Sequence, residues 1–471
     1  MVVHRVSNTI SARRSGALIS AFVAVLAVPL LVSGAAPAAA DPPNMIGVPP
    51  QIPHAIDGTV PAPPYPHLRR IPQRAVTPGM SRRLQELREA VLPTPSGDPF
   101  FDRWAPDLAQ RRPGELLATR DVTWPAGLLV TAPISSARQI KFATRDAIGR
   151  PSFGTATILI PRQAWRGRGP RPILVNNLPI DSLGAACTPG ATLAHGLGAA
   201  TGFTDFFPPS SQLALARGYS VIVPDHQGPR MAYAEPTTAG HIVLDSLRAA
   251  AAYNPKLFGR SRIGITGYSG GAIATNGATK LAAGYAPDVA PRIVGATLGG
   301  VPADFRMLVG SMNANLATGL FHAATFGIAR ERPEILTMAN HAAQWIASSP
   351  LKNVCVLPAA LAGQTFMPMQ LMSNDPDPFR SPVAENIYRV TKMSDRKSVV
   401  PLYIYNGTYE WWIPAAGARN LFREQCRLGA TATYREVFAE HLTGIMVGYP
   451  DAITWLDARL RGIPARSTCR R

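Results

Sequence analysis

The sequence predicts an α/β fold, with a mostly parallel central sheet flanked by helices. Two observations carry that expectation. Six short apolar runs of strand length recur between residues 172 and 438, with helical patterns between them. One of these runs passes through a glycine-rich turn directly into a helix-compatible segment. Runs that are apolar throughout, rather than alternating, suit strands buried on both faces of a helix-covered parallel sheet.

Taken in order, the chain begins with an address. Residues 1–14 hold Arg5, Arg13 and Arg14 and no acid, and Ser15–Ala40 is uncharged with a strongly apolar stretch at Leu18–Val32. The stretch ends in Pro37-Ala38-Ala39-Ala40 before Asp41, the small-residue pattern of a secretory signal peptide cleaved near Ala40. Pro29, Gly34 and Pro37 leave too short a clean span for an anchor helix. Residues 41–95 are proline-rich, a composition unsuited to a helix interior or a central strand, and read as a linker or strap. A short amphipathic helix over Ser81–Val91 interrupts it.

The pattern turns globular over residues 96–471. Ala137–Pro161 reads as two strands around a turn at Gly149-Arg150-Pro151. The apolar runs are Pro172–Leu178, Tyr219–Asp225, Arg262–Thr266, Val294–Leu298, Val399–Tyr405 and Ala430–Phe438. Helical spacing is clearest at Ala239–Ala252 and Asp451–Leu460. The interval 302–395 breaks the alternation: it is rich in Ala, Met and Asn and too long for a crossover, which predicts an inserted helical cap.

Composition narrows the function. The chain has 471 residues, and 46% hydrophobic with 16% charged residues excludes a wholly disordered protein. A mean hydropathy of +0.04 excludes a polytopic membrane protein. The formal charge is +18, but 41 of the 47 basic residues are Arg, spread along the chain without a dense block interleaved with aromatics. That distribution argues against nucleic acid as a partner. Removing residues 1–40 takes three Arg and no acid, leaving +15, which suits peripheral association with a lipid interface or an anionic envelope. Four cysteines remain, Cys187, Cys355, Cys426 and Cys469, an even number that in an exported protein reads as two disulfides with three pairings open. No CxxC or CxxH spacing occurs, so no zinc site is expected.

The chemistry centres on Gly267-Tyr268-Ser269-Gly270-Gly271, which follows the Arg262–Thr266 run and precedes Ala272–Ala283. A G-x-S-x-G turn between a strand and a helix pushes the serine hydroxyl outward, where a base can reach it. A serine nucleophile needs a base, and the base needs an orienting acid. His322, His341 and His441 follow Ser269, and only His441 comes after the last apolar run. Glu410 is the carboxylate in the segment that follows Val399–Tyr405, making it the candidate acid. The backbone N–H of Gly270 is one candidate oxyanion donor, and the other belongs to the loop Ile180–Gly184.

These landmarks together resemble the secretory lipase family of the α/β-hydrolase superfamily, which contains fungal lipase A and actinobacterial secreted lipases. The resemblance covers residues 96–471 and rests on an ordered set: Asp98-Pro99-Phe100-Phe101, Arg145–Pro151, Val223–Pro229, Leu244–Ala249, Gly267–Ala272 and Glu440-His441. It implies Ser269 as nucleophile, His441 as base, and Asp181 with Gly270 at the oxyanion hole. It also implies the pairings Cys187–Cys355 and Cys426–Cys469, a helical cap over the site, and no metal or organic cofactor. Two positions depart from the family pattern. Glu410 stands where Asp is usual, in Gly407–Pro414, and His226 stands where Tyr is frequent. The expected activity is hydrolysis of acyl esters through an acyl-enzyme. An acyltransferase on the same residues and a weakly catalytic, lipid-binding envelope protein are the rivals.

Overall fold

The computed structural model describes residues 48–49, 51–65, 67–198 and 209–469, so the expected signal peptide lies outside the described residues. Nine strands form one sheet in the order β1-β2-β3-β5-β4-β6-β7-β8-β9. They are β1 Leu116–Asp121, β2 Ile134–Arg145, β3 Pro151–Pro161, β4 Ile173–Asn177, β5 Ser220–Pro224, β6 Ile263–Tyr268, β7 Ile293–Gly299, β8 Leu402–Gly407 and β9 Ala432–Val437. The pairings β1–β2, β2–β3 and β3–β5 are antiparallel, and all pairings from β5 through β4 to β9 are parallel. Every residue of β4, β5, β6 and β8 is buried, in keeping with their predominantly apolar character.

Helices cover both faces. On one side Pro236–Tyr253 and Gly270–Tyr285 pack against the sheet, joining Ile242, Val243, Ala274 and Ala278 to Ile173, Ile222, Ile263 and Ile265 in the largest apolar core. These two helices touch through glycine: a Cβ on Gly240 would lie 2.6 Å from the carbonyl carbon of Gly277, so any larger residue would push the helix bearing Ser269 aside. On the other face Leu456 and Leu460 of the His441–Leu460 helix pack with Leu174, Val221 and Val223.

Between β7 and β8 the chain makes the helices Phe305–Met312, Thr318–Glu331, His341–Ser348, Val356–Leu361 and Pro382–Lys392, with short 3-10 turns between them. All but the His341–Ser348 helix form an apolar cluster with Tyr233 and Ile273, on the side of the sheet where Ser269 emerges. The disulfide Cys187–Cys355 ties this insertion to the loop after β4. The second disulfide, Cys426–Cys469, fastens the C-terminal segment to the Ala415–Arg427 helix.

Three elements differ from the sequence reading. The edge strand β1 was not expected, because its residues are half-buried or exposed and its apolar part is only Leu116, Leu117 and Ala118, too short a run to mark a strand. A helix at Gln51–Thr59 forms within the proline-rich segment, since Pro53 falls in its first turn, where a missing N–H costs nothing. The last helix starts at His441 rather than near Asp451; Gly444, Gly448 and Pro450 lower its intrinsic propensity, and packing on the sheet overrides it.

Candidate active site

Ser269 stands between β6 and the Gly270–Tyr285 helix with φ 53° and ψ −122°, a conformation L-residues rarely adopt. The turn is tight enough that a Cβ on Gly271 would lie 1.9 Å from the carbonyl oxygen of Asn177 at the end of β4. Neighbouring strand ends therefore force the serine outward, and the strain is held by the surrounding sheet.

His441 and Glu410 arrive from the ends of β9 and β8. His441 is the first residue of its helix, capped by Glu440, whose side chain accepts from the N–H groups of Leu442 and Thr443 while Thr443 Oγ accepts from the Glu440 N–H. Its carbonyl accepts from the Tyr268 hydroxyl at 2.7 Å. The ring is thus held at both ends of its residue. His441 Nδ1–H donates to Glu410 Oε2 at 2.7 Å, leaving Nε2 to accept from the Ser269 hydroxyl at 3.0 Å. The second oxygen of Glu410 accepts from the backbone N–H groups of Trp412 and Ile413 at 3.1 and 3.2 Å. Trp412 lies nearly parallel to the His441 ring, with centroids 5.2 Å apart.

Burial pulls the His441 pKa down, but the charge and hydrogen bond of Glu410 outweigh it, and the net shift is upward. The structure therefore brings the three candidate residues into one continuous relay, although they lie 31 and 172 residues apart in sequence.

Asp181 and Gly270 also meet. Asp181 has φ 43°, and a Cβ on Gly270 would fall 1.7 Å from Asp181 Oδ1. That oxygen is buried and has no hydrogen-bond partner among the described residues. Burial pushes the Asp181 carboxyl up to about 7, against the opposing pull of His441 and of backbone N–H groups. His226, the other departure from the family pattern, is buried one loop away; its Nε2–H donates to the carbonyl of Leu178 at 2.8 Å, and burial lowers its pKa to about 4.

A largely apolar cavity of about 150 Å³ opens on Ser269. Its walls include Phe305, Leu308, Met312, Leu320, Phe321 and Trp412, most of them from the helical insertion. Sequence alone assigns no role to Trp412 and Tyr233, since nothing in their local pattern distinguishes a site wall from ordinary core.

A serine on a strand–helix elbow, faced by a histidine from the last strand end of a mixed nine-stranded sheet, defines an α/β-hydrolase. The fold agrees with that of Candida antarctica lipase A in its closed state, which aligns with a TM-score of 0.72 over 80% of this chain and 89% of that one, at 24% identity. The secretory lipase family model matches residues 209–468, and the chain belongs to that family. Among curated relatives, a probable inactive lipase of Mycobacterium tuberculosis is 28% identical over 390 residues, covering 81% of this chain and 86% of its own. Lipase 4 of Candida albicans is 26% identical over 393 residues, covering 80% and 84%.

Proposed function

We propose that the protein is a secreted serine esterase or lipase that hydrolyses lipid acyl esters through an acyl-enzyme on Ser269. The observation that carries this reading is the continuous Ser269–His441–Glu410 relay, 3.0 and 2.7 Å between heavy atoms, at the floor of an apolar cavity. In the first half-reaction His441 Nε2 takes the hydroxyl proton as Ser269 Oγ attacks the ester carbonyl. The tetrahedral intermediate collapses, His441 returns the proton to the departing alcohol oxygen, and the acyl group stays on Ser269. Water then repeats the cycle with His441 as base and releases the acid. Glu410 fixes the Nδ1–H tautomer and offsets the charge of the imidazolium. Export, with cleavage near Ala40, accords with membership of a family of secretory lipases. Among the described residues no helix is long and apolar enough to cross a membrane.

The oxyanion is stabilised in this reading by the Gly270 N–H and by Asp181. A carboxylate is an acceptor only, so the Asp181 side chain helps a developing oxyanion only as the neutral acid. The active form then has His441 neutral and Asp181 protonated. Activity therefore falls on the acid side as His441 takes a proton and on the alkaline side as Asp181 loses its own near pH 7, giving a narrow bell. Asp181→Asn supplies an N–H donor at every pH, so the alkaline limb of kcat/KM is expected to vanish while the acid limb stays. An unchanged alkaline limb in that variant rules out the side-chain role.

The cavity makes acyl length the natural variable. Each buried methylene contributes about 0.8 kcal/mol, so kcat/KM on p-nitrophenyl esters is expected to climb about 15-fold per two carbons until the cavity is filled. A profile that is flat or falls from acetate onward, measured on the mature chain, would separate this protein from lipid-ester substrates. The M. tuberculosis relative is named inactive, which is the kind of relative a weakly catalytic envelope protein would have. A fluorophosphonate probe discriminates, because only a nucleophilic Ser269 is labelled.

A further inference from the structure

Arg330 lies near the end of the Thr318–Glu331 helix and is 1% exposed. A charged side chain buried to that extent ordinarily pairs with a carboxylate. Here all five hydrogen bonds go to backbone carbonyls. Nε–H donates to Val91 at 3.0 Å; Nη1 donates to Leu183 at 2.7 Å, Arg230 at 3.2 Å and Met231 at 3.1 Å; Nη2 donates to Lys352 at 2.7 Å. The neighbouring acid, Glu331, is engaged by Arg230 instead, at 3.1 Å.

Those carbonyls belong to four segments remote in sequence: the proline-rich strap, the loop after β4 that carries Asp181, the loop after β5 that leads to Tyr233, and the helical insertion. Leu183 is clamped from both sides, because its N–H donates to Val354 at 2.8 Å, next to the Cys187–Cys355 disulfide. The strap is held to Arg330 a second time. Arg88, fully buried in the Arg82–Val91 helix, donates through Nε and Nη2 to the Arg330 carbonyl at 2.9 and 2.5 Å. Its Nη1 reaches the carbonyls of Ala75 and Val76 and Thr77 Oγ at 3.2, 3.3 and 2.6 Å. Two guanidinium groups in series therefore connect residues 75–77 to the loop of Asp181. A lysine has one ammonium and no planar fork, and cannot span these acceptors.

We infer that Arg330 is a positioning residue for the proposed oxyanion loop, and that the strap at residues 75–94 is, through Arg88, a working part of the catalytic unit. The inference rests on the proposed role of Asp181. Its physical content is that Asp181, two residues from Leu183, holds a left-handed φ of 43° that only its surroundings maintain. Fixing the Leu183 carbonyl from the core side holds the loop against relaxation.

The test uses the full mature chain with Arg330→Lys and Arg88→Lys and two readouts. One is amide hydrogen exchange across residues 179–184, which does not depend on activity. The other is kcat and KM per titrated active site on a short soluble p-nitrophenyl ester. Arg330→Lys is expected to accelerate exchange at 179–184 and to lower kcat about 10- to 100-fold, with KM changed less than about twofold. A merely structural role would lower the melting temperature and leave kcat per titrated site unchanged, and that result overturns the inference. Exchange at 179–184 equal to that of the parent protein overturns it too, whatever the activity. Should Arg330→Lys fail to fold, Arg88→Lys, which spares the Arg330–Leu183 bond, is read by the same criteria with a smaller effect. Loosened exchange in a protein whose parent neither hydrolyses esters nor labels supports the clamp and rejects the catalytic reading of Ser269.

Discussion

Ser269→Ala is expected to lower kcat for ester hydrolysis by about a millionfold, leaving only the residual rate that the oxyanion donors and binding supply. Intact-mass detection of a fluorophosphonate adduct on the parent protein and its absence on the variant is the direct check. Activity that survives Ser269→Ala in a homogeneous preparation sinks the mechanism. The same position makes an opposite prediction for stability. Ser269 is held at φ 53° and ψ −122°, and a non-glycine residue there stores on the order of 1–3 kcal/mol of strain. Ser269→Gly should relieve most of it and raise the denaturant midpoint while abolishing activity, whereas Ser269→Ala keeps the strain. Loss of function with a gain in stability would mark the position as shaped for reaction rather than for folding.

The second large effect is expected at Glu410. Glu410→Gln places an amide opposite His441 Nδ1, and whichever way the amide turns it cannot both accept from Nδ1–H and carry the compensating charge. A loss of about 10³- to 10⁴-fold in kcat follows, with KM nearly unchanged. The acid limb of the pH profile should also move down, because the Glu410 carboxylate is what lifts the His441 pKa against burial. The sign extends to stability. A histidine whose folded pKa is raised adds stability that is fully present below its unfolded value of about 6.5 and is lost as pH rises through the folded value; in Glu410→Gln that acid-side contribution disappears. Glu410→Asp restores the residue type usual in the family, yet it is expected to cost about 10- to 100-fold. The carboxylate would retract by one methylene from partners at 2.7, 3.1 and 3.2 Å. Parent-like kcat in Glu410→Gln assigns the orienting role elsewhere.

Much of this was legible in the chain itself. The strands of the parallel half declare themselves because strands buried on both faces must be predominantly apolar, and the elbow does so because its glycines are sterically required. Glu410 and His441 could be placed by chain order, since each follows a strand whose end faces the site. β1 was not legible, because an exposed edge strand pairing on one side needs no apolar pattern. Nor was the start of the last helix, where Gly444, Gly448 and Pro450 hide a helix that packing on β7 and β8 stabilises.

Arg330 shows most sharply where sequence reasoning ends. In a chain with 41 arginines, nothing local separates one that faces water from one whose five hydrogen bonds reach four separate segments. The same holds for Asp181, whose identity could be carried over by resemblance but whose carboxyl is pushed up to about 7 by burial, against the opposing pull of His441 and the Gly270 N–H. By itself the sequence determined the strand–helix alternation of the parallel half, the candidate signal peptide and the candidate nucleophile on its elbow, all properties of short windows and chain order. Tertiary structure alone decided the distances between Ser269, His441 and Glu410, the ionisation of Asp181 and the clamp on its loop. Hydrogen bonding and desolvation act across space, between groups as far apart in the chain as Arg88 and Arg330, separated by 242 residues.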